Sequence, residues 1–134
     1  MKLKDLYHVG IPVDDIDRAR EFYTKVLGMQ FLDRVGGTRG PRLDRLRCGR
    51  SDVVLFERPK PIRKDALEQD GIAHQAFDMD WEDYDEALKE VKETGRFHRC
   101  VERSSGKTIY LFDPEGNYLE LHFPTPNRQG TATV

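Results

Sequence analysis

One pattern is written twice along this chain, and that repetition leaves few folds open to it. Residues 6–13, LYHVGIPV, alternate as a strand. Asp14 and Asp15 then stand where a helix N-cap belongs. Ala19, Phe22, Tyr23, Val26 and Leu27 recur at helical spacing until Gly28 supplies a stop. Met29–Val35, Leu43–Cys48 and Asp52–Phe56 read as three further strands, with a flexible loop at 36–41 and a turn at Gly49-Arg50. After a polar, proline-containing stretch at 59–70 the pattern restarts. Ile72–Asp78 is a strand, and Asp80 is placed to cap a helix with the apolar stripe Trp81, Tyr84, Leu88 and Val91. Gly95 ends that helix, a strand follows around Phe97–Val101, and the hairpin from Gly106 to Phe123 closes the module.

The offsets argue for duplication. His74 lies 66 positions after His8, Gly95 lies 67 after Gly28, and Glu120 less 66 falls on Val54. Strand–helix–strand–strand–strand modules of this size cannot each bury both sheet faces. The expected fold is therefore α+β, two βαβββ modules side by side forming a concave mixed sheet. Module one spans about 5–58, a linker 59–70, module two about 71–123 and a tail 124–134. At 134 residues the chain suffices for one such domain.

Within the closing hairpin, Tyr118, Glu120 and His122 share one strand face while Leu119 and Leu121 share the other. An acid in the middle of a strand either meets solvent or points into a cavity and holds something. The repeat puts His8 and His74 at equivalent places on the first strands of the two modules, with small or polar neighbours (Gly10, Ala76, His122) on their faces. Two imidazoles and one carboxylate on three strands make a facial set suited to a divalent metal with open positions for substrate. Fe(II) or Mn(II) comes first, with Zn(II) or Ni(II) as the other candidates.

Bulk properties exclude several classes. With 22 basic and 24 acidic residues the charge gives no case for nucleic acid or an anionic membrane. No apolar run reaches the roughly 20 residues a spanning helix needs, and MKLKDLYHV lacks a signal segment. Cys48 and Cys100 have no motif spacing and read as inert or core thiols in a cytoplasmic protein.

DIDRAREFYTKVLGM, AHQAFDM and FDPEGNYLEL resemble the module signatures of the vicinal oxygen chelate superfamily, which includes glyoxalase I, extradiol dioxygenases, fosfomycin-resistance enzymes and bleomycin-binding proteins. The resemblance runs from about Leu6 to Phe123, and its register places the metal triad on His8, His74 and Glu120. GKTIYLFDPEGNYLE is most similar to the closing motif of catechol-type extradiol dioxygenases. It implies a ring-cleaving oxidoreductase in which Tyr110 hydrogen-bonds the metal-bound substrate oxygen. Where those enzymes carry an acid/base His before an Asp, this chain has Ser51-Asp52, which leaves His98 as the candidate proton relay, with His122 as another.

Other reactions stay open. Glyoxalase I needs a second Glu where this chain has Val54, and Glu57 should face the opposite way. A glutathione- or fosfomycin-type transferase would use the three-ligand set, and Arg34, Arg39, Arg42, Arg45 and Arg47 offer either anion-binding charge or a solvated edge. A non-enzymatic small-molecule-binding protein is the third alternative. A homodimer is expected, since such sites are built across modules or chains.

Overall fold

The chain divides into two units, Met1–Arg63 and Lys64–Val134. A computed structural model describes residues 1–38, 40–58 and 74–126. Arg39, the 59–70 connection, the first residues of the Ile72–Asp78 strand and positions 127–134 of the tail lie outside the described residues.

The first unit comprises β1 (His8–Val13), helix α1 (Ile16–Glu21) with a π-helical extension (Phe22–Val26), β2 (Gln30–Gly36), β3 (Arg42–Cys48) and β4 (Ser51–Glu57). Asp15 caps α1 as the sequence predicts, its carboxylate accepting from the Arg18 amide at 3.0 Å. The helix widens at its end, where the Leu27 amide reaches back to the Phe22 carbonyl at 3.2 Å, and Gly28 turns the chain away at φ 76°. The sheet order is β1-β4-β3-β2, with β1 parallel to β4 and the remaining pairs antiparallel.

Alternation divides this sheet cleanly. Ile11, Val13, Leu46, Val53 and Leu55 are buried, as are Ile16, Ala19 and Tyr23 from the helical segment. One acid belongs to the buried set. Asp44 is fully buried and takes a two-pronged contact from Arg34 across the strand pair, at 2.6 and 2.9 Å. Arg34 also reaches Asp17 of α1 at 2.7 Å, so the pair ties helix to sheet. The strand begins at His8 rather than residue 6. Tyr7 therefore escapes the expected alternation, and its ring lies 4.9 Å from that of His8.

The second unit repeats the plan with β5 (Gln75–Asp78), a 3₁₀ turn (Trp81–Asp83), helix α2 (Tyr84–Glu93), β6 (Phe97–Arg103), β7 (Gly106–Phe112) and β8 (Tyr118–Pro124). Its sheet order, β5-β8-β7-β6, reproduces that of the first unit, again with the first and last strands parallel. Gly10 pairs with Val54 in one unit and Ala76 with Glu120 in the other, the 66-residue offset in backbone register. The architecture is thus α+β, two four-stranded mixed sheets each with its helix.

Two local expectations need correction. Asp80 does not cap α2 through its side chain. The 3₁₀ turn intervenes, and the Asp80 carbonyl accepts from the Asp83 amide at 3.0 Å instead. Because the α-helix starts only at Tyr84, its fully buried positions are Ala87 and Val91, while Trp81, Tyr84 and Leu88 are half-buried. The Lys107 ammonium stands 5.0 and 4.6 Å from the Trp81 and Tyr84 rings and closes that edge. Of the two readings for the cysteines, inert or core, the core does not apply. Cys48 is half-buried and Cys100 exposed, and both are free thiols. Burial pushes the Cys48 thiol up, which disfavours the thiolate.

Candidate functional site

The turn between β7 and β8 sets the geometry of the second unit's site. Asp113 is fully buried, and its Oδ1 accepts from the Glu115 and Asn117 amides, each at 2.8 Å, while Oδ2 accepts from Asn117 Nδ2 at 2.9 Å. This turn puts Tyr110 directly opposite Glu120 and Thr108 opposite His122. Ala76 flanks Glu120 from the other side. Tyr110, Glu120 and Ala76 thus form one row across the sheet.

His74 immediately precedes β5, and its Nε2 lies 2.9 Å from Glu120 Oε1. The carboxylate is mostly covered and the imidazole only partly, 16% and 33% exposed. Thr108 Oγ1 donates to Glu120 Oε2 and lies beside His122 Nδ1, each at 3.5 Å. The structure therefore brings together two of the three expected metal ligands, with Tyr110 and His122 on the same sheet face. A cavity of about 320 Å³ opens beside Glu120, Ala76 and His122.

His98 reaches this face through a β-bulge. Pairing slips between Phe97 and Arg99, so two consecutive residues, His98 and Arg99, both contact aromatics of the Glu120 face. His98 Nδ1 sits 2.7 Å from the Tyr118 hydroxyl, and Tyr118 stacks on Tyr110 with centroids 5.3 Å apart and planes 9° apart. Arg99 lies over the Tyr110 ring at 5.2 Å. Burial raises the Tyr118 phenol, partly offset by a hydrogen bond from Arg99. The roles of Tyr118, Thr108 and Arg99 escaped sequence reasoning. A strand pattern gives the face but not the bulge, although the first unit slips at the equivalent place, between Phe31 and Asp33.

In the first unit His8 pairs in register with Asp52, on the face shared by Gly10, Val54 and Phe56. Ser51 falls on the opposite face from Asp52 and pairs with Cys48. Glu57 faces away from Val54 and binds Arg42 at 2.6 Å, so among the described residues this unit's face offers no second glutamate beside His8. The arginine run is no anion trap among its described members. Arg34 is held by Asp44 and Asp17, Arg42 by Glu57, Arg45 by Asp33 at 2.7 Å, and Arg47 by Asp52 at 2.5 Å. Arg42 and Arg45 hold the Glu57 and Asp33 carboxyls below their usual range. Arg39 lies outside the described residues.

Within neither unit do three His, Cys, Asp or Glu side chains of the described residues cluster as a complete metal site. The donor types present in each unit suit a divalent metal. The second unit converges an imidazole nitrogen and a carboxylate oxygen, and the first presents the His8 imidazole on its open face.

Residues 5–121 match the family model described as Glyoxalase/Bleomycin resistance protein/Dioxygenase superfamily, and the chain belongs to that superfamily. Among curated relatives, the Bacillus subtilis protein named "Uncharacterized protein YwkD" is 30% identical, covering 91% of this chain and 98% of that protein. The glutathione transferase FosA of Serratia marcescens is 28% identical, covering 90% and 81%. Among solved structures, a point mutant of the Listeria monocytogenes fosfomycin resistance protein FosX, complexed with Mn(II) and 1S,2S-dihydroxypropylphosphonic acid, shares the fold at a TM-score of 0.78. Its identity is 19%, and the match covers 96% of this chain and 98% of FosX. No helix among the described residues is long and apolar enough to cross a membrane.

Proposed function

We propose that this chain is a divalent-metal-dependent enzyme whose metal is held by His8, His74 and Glu120 and whose small substrate presents two neighbouring oxygens. The observation that carries the reading is the 2.9 Å approach of His74 Nε2 to Glu120 Oε1 on a sheet face lined by Thr108 and Tyr110. The metal, when bound, supplies Lewis-acid polarisation of the substrate oxygens. Thr108 steadies the second carboxylate oxygen, Tyr110 offers its hydroxyl to a substrate oxygen, and His98, anchored by Tyr118, gives or takes a proton. The two units act as halves of one domain and two copies pair as a cytoplasmic homodimer, so His8 comes from the same chain or from its partner copy.

The leading reaction is group transfer of the fosfomycin-resistance type. FosA and the Staphylococcus epidermidis metallothiol transferase FosB, relatives along most of the chain, support it. Mn(II) is the favoured metal, because the FosX structure holds it. The test is consumption of fosfomycin by Mn(II)-loaded protein with glutathione, cysteine or water alone. Turnover that disappears in Glu120→Ala supports the reading, and no turnover with any of the three removes it.

Ring cleavage of catechols is the second reading, favoured by Tyr110 lying directly across from Glu120 with His98 in the same aromatic cluster. Oxygen uptake by the Fe(II)-loaded protein with a catechol panel tests it, and absence of uptake rejects it. A glyoxalase-type lyase is disfavoured, because Val54 stands where a fourth ligand would be and Glu57 is engaged by Arg42 on the other face. A chain that retains no metal would be the non-enzymatic binding protein instead.

A further inference from the structure

The two sheets carry cavities at equivalent positions, but with opposite chemistry. In the second unit the cavity borders Ala76, Phe77, Asp78, Glu120 and His122. Subtracting 66 from Ala76, Glu120 and His122 gives Gly10, Val54 and Phe56, and all three line a cavity of about 290 Å³ in the first unit. Valine replaces the carboxylate and a phenyl ring replaces the imidazole. Val35 and Leu43, paired across β2 and β3, extend the apolar wall, and Tyr7, His8, Arg45 and Asp52 complete the lining. Gly10 leaves room for the Phe56 ring beside β1, since a Cβ there would lie 3.3 Å from Phe56 Cε1. The charges at the rim are mutually satisfied. Arg45 is bound by Asp33 at 2.7 and 3.0 Å, and Asp52 by Arg47. Such a pocket does not recognise an anion. It removes carbon from water.

From this we infer that the first-unit cavity is the subsite for an apolar substituent of the substrate, an aryl ring or branched alkyl group attached near the oxygens that approach His8. The inference rests on the proposed function in one respect, the role of His8 as a metal ligand. Size supports a ring: an apolar cavity of about 150 Å³ accommodates benzene, and this one is about 290 Å³. A three-carbon ligand such as the dihydroxypropylphosphonic acid bound to FosX would leave most of it unfilled. The first unit thus has room for an apolar group beyond those fosfomycin carries, while the second unit keeps the acid and imidazole chemistry. Burying one phenyl group contributes on the order of tenfold to a hundredfold in affinity.

The test uses benzyl alcohol as probe and the full chain with metal removed by chelation. Methyl resonances of Val35, Leu43 and Val54 are followed during titration. Saturable shifts confined to these methyls are expected, with binding weakened at least tenfold in Val54→Phe, which fills the cavity. Val35→Phe, at the exposed edge, provides a second filling variant should the first fold poorly. Absence of saturable shifts, or binding unchanged in a folded filling variant, overturns the proposal. Adding Mn(II) then tests the link to His8: broadening of the bound probe's signals is expected, and a probe that binds without broadening overturns the subsite's place beside the metal. Failure of the metal reading is seen separately, as no Mn(II) broadening of His74 and Glu120 signals.

Discussion

At the scale of single residues, two carboxylates on opposite kinds of sheet face show how position decides role. Asp44 is fully buried on the helix side of its sheet, and its charge is held by Arg34 with Arg20 3.9 Å away. Glu120 sits on the open face beside an imidazole. Asp44→Ala would leave the Arg34 guanidinium half-covered with Asp17 as its remaining partner. We expect a loss of about 2–4 kcal/mol in urea unfolding, and a loss below about 0.5 kcal/mol would mean the pair contributes little. Glu120 was legible because it shares a strand face with His122 and falls in the same repeat as His8 and His74. Asp44 was not, because in RLDRLRC the leucines stand three apart and period two does not say which face is buried. Only its partner Arg34, ten residues earlier, accounts for its burial.

Elements explain what the residue pattern missed. The bulge in β6 adds one residue to the strand, and that extra residue lets both His98 and Arg99 touch the Glu120 face. Period-two counting cannot anticipate it, so His98 was legible only as a candidate and Tyr118 as nothing more than a strand position. The β7–β8 hairpin, by contrast, was readable in full from Asp113-Pro114-Glu115-Gly116-Asn117. Its entry depends on Gly106, at φ 153°, where an added Cβ would lie 2.4 Å from the Phe123 carbonyl oxygen. Gly106→Ala should therefore cost about 2 kcal/mol or more, read as a lowered denaturant midpoint, and an unchanged midpoint would contradict the packing described. Helix α2 contributes a pH dependence at the alkaline end. Burial and a hydrogen bond with Cys100 push the Tyr84 phenol from its ordinary 10.0 up to about 12. The folded state thus disfavours the tyrosinate, and its contribution is complete below pH 10 and lost as pH rises towards 12. Thermal melts should fall across that window more steeply for the native chain than for Tyr84→Phe. Equal slopes would show that Tyr84 is not the group responsible.

For the molecule as a whole, the duplication read from the His8–His74 and Gly28–Gly95 spacings reappears as two sheets of identical strand order and matching register. That much was legible because a 66-residue offset leaves its mark on turns, caps and strand starts alike. What diverged between the copies was less so: Val54 against Glu120 and Phe56 against His122 acquire meaning only when both are seen lining cavities. The superfamily is settled by the match over residues 5–121, whereas the reaction depends on how the shared fold's site is used. The central claim is the metal itself. Elemental analysis of protein purified without air and dialysed against Mn(II) should give one ion per chain, falling to near zero in Glu120→Ala while the variant's circular dichroism stays native. Metal content unchanged by that substitution, or absent from the native chain, would contradict the account.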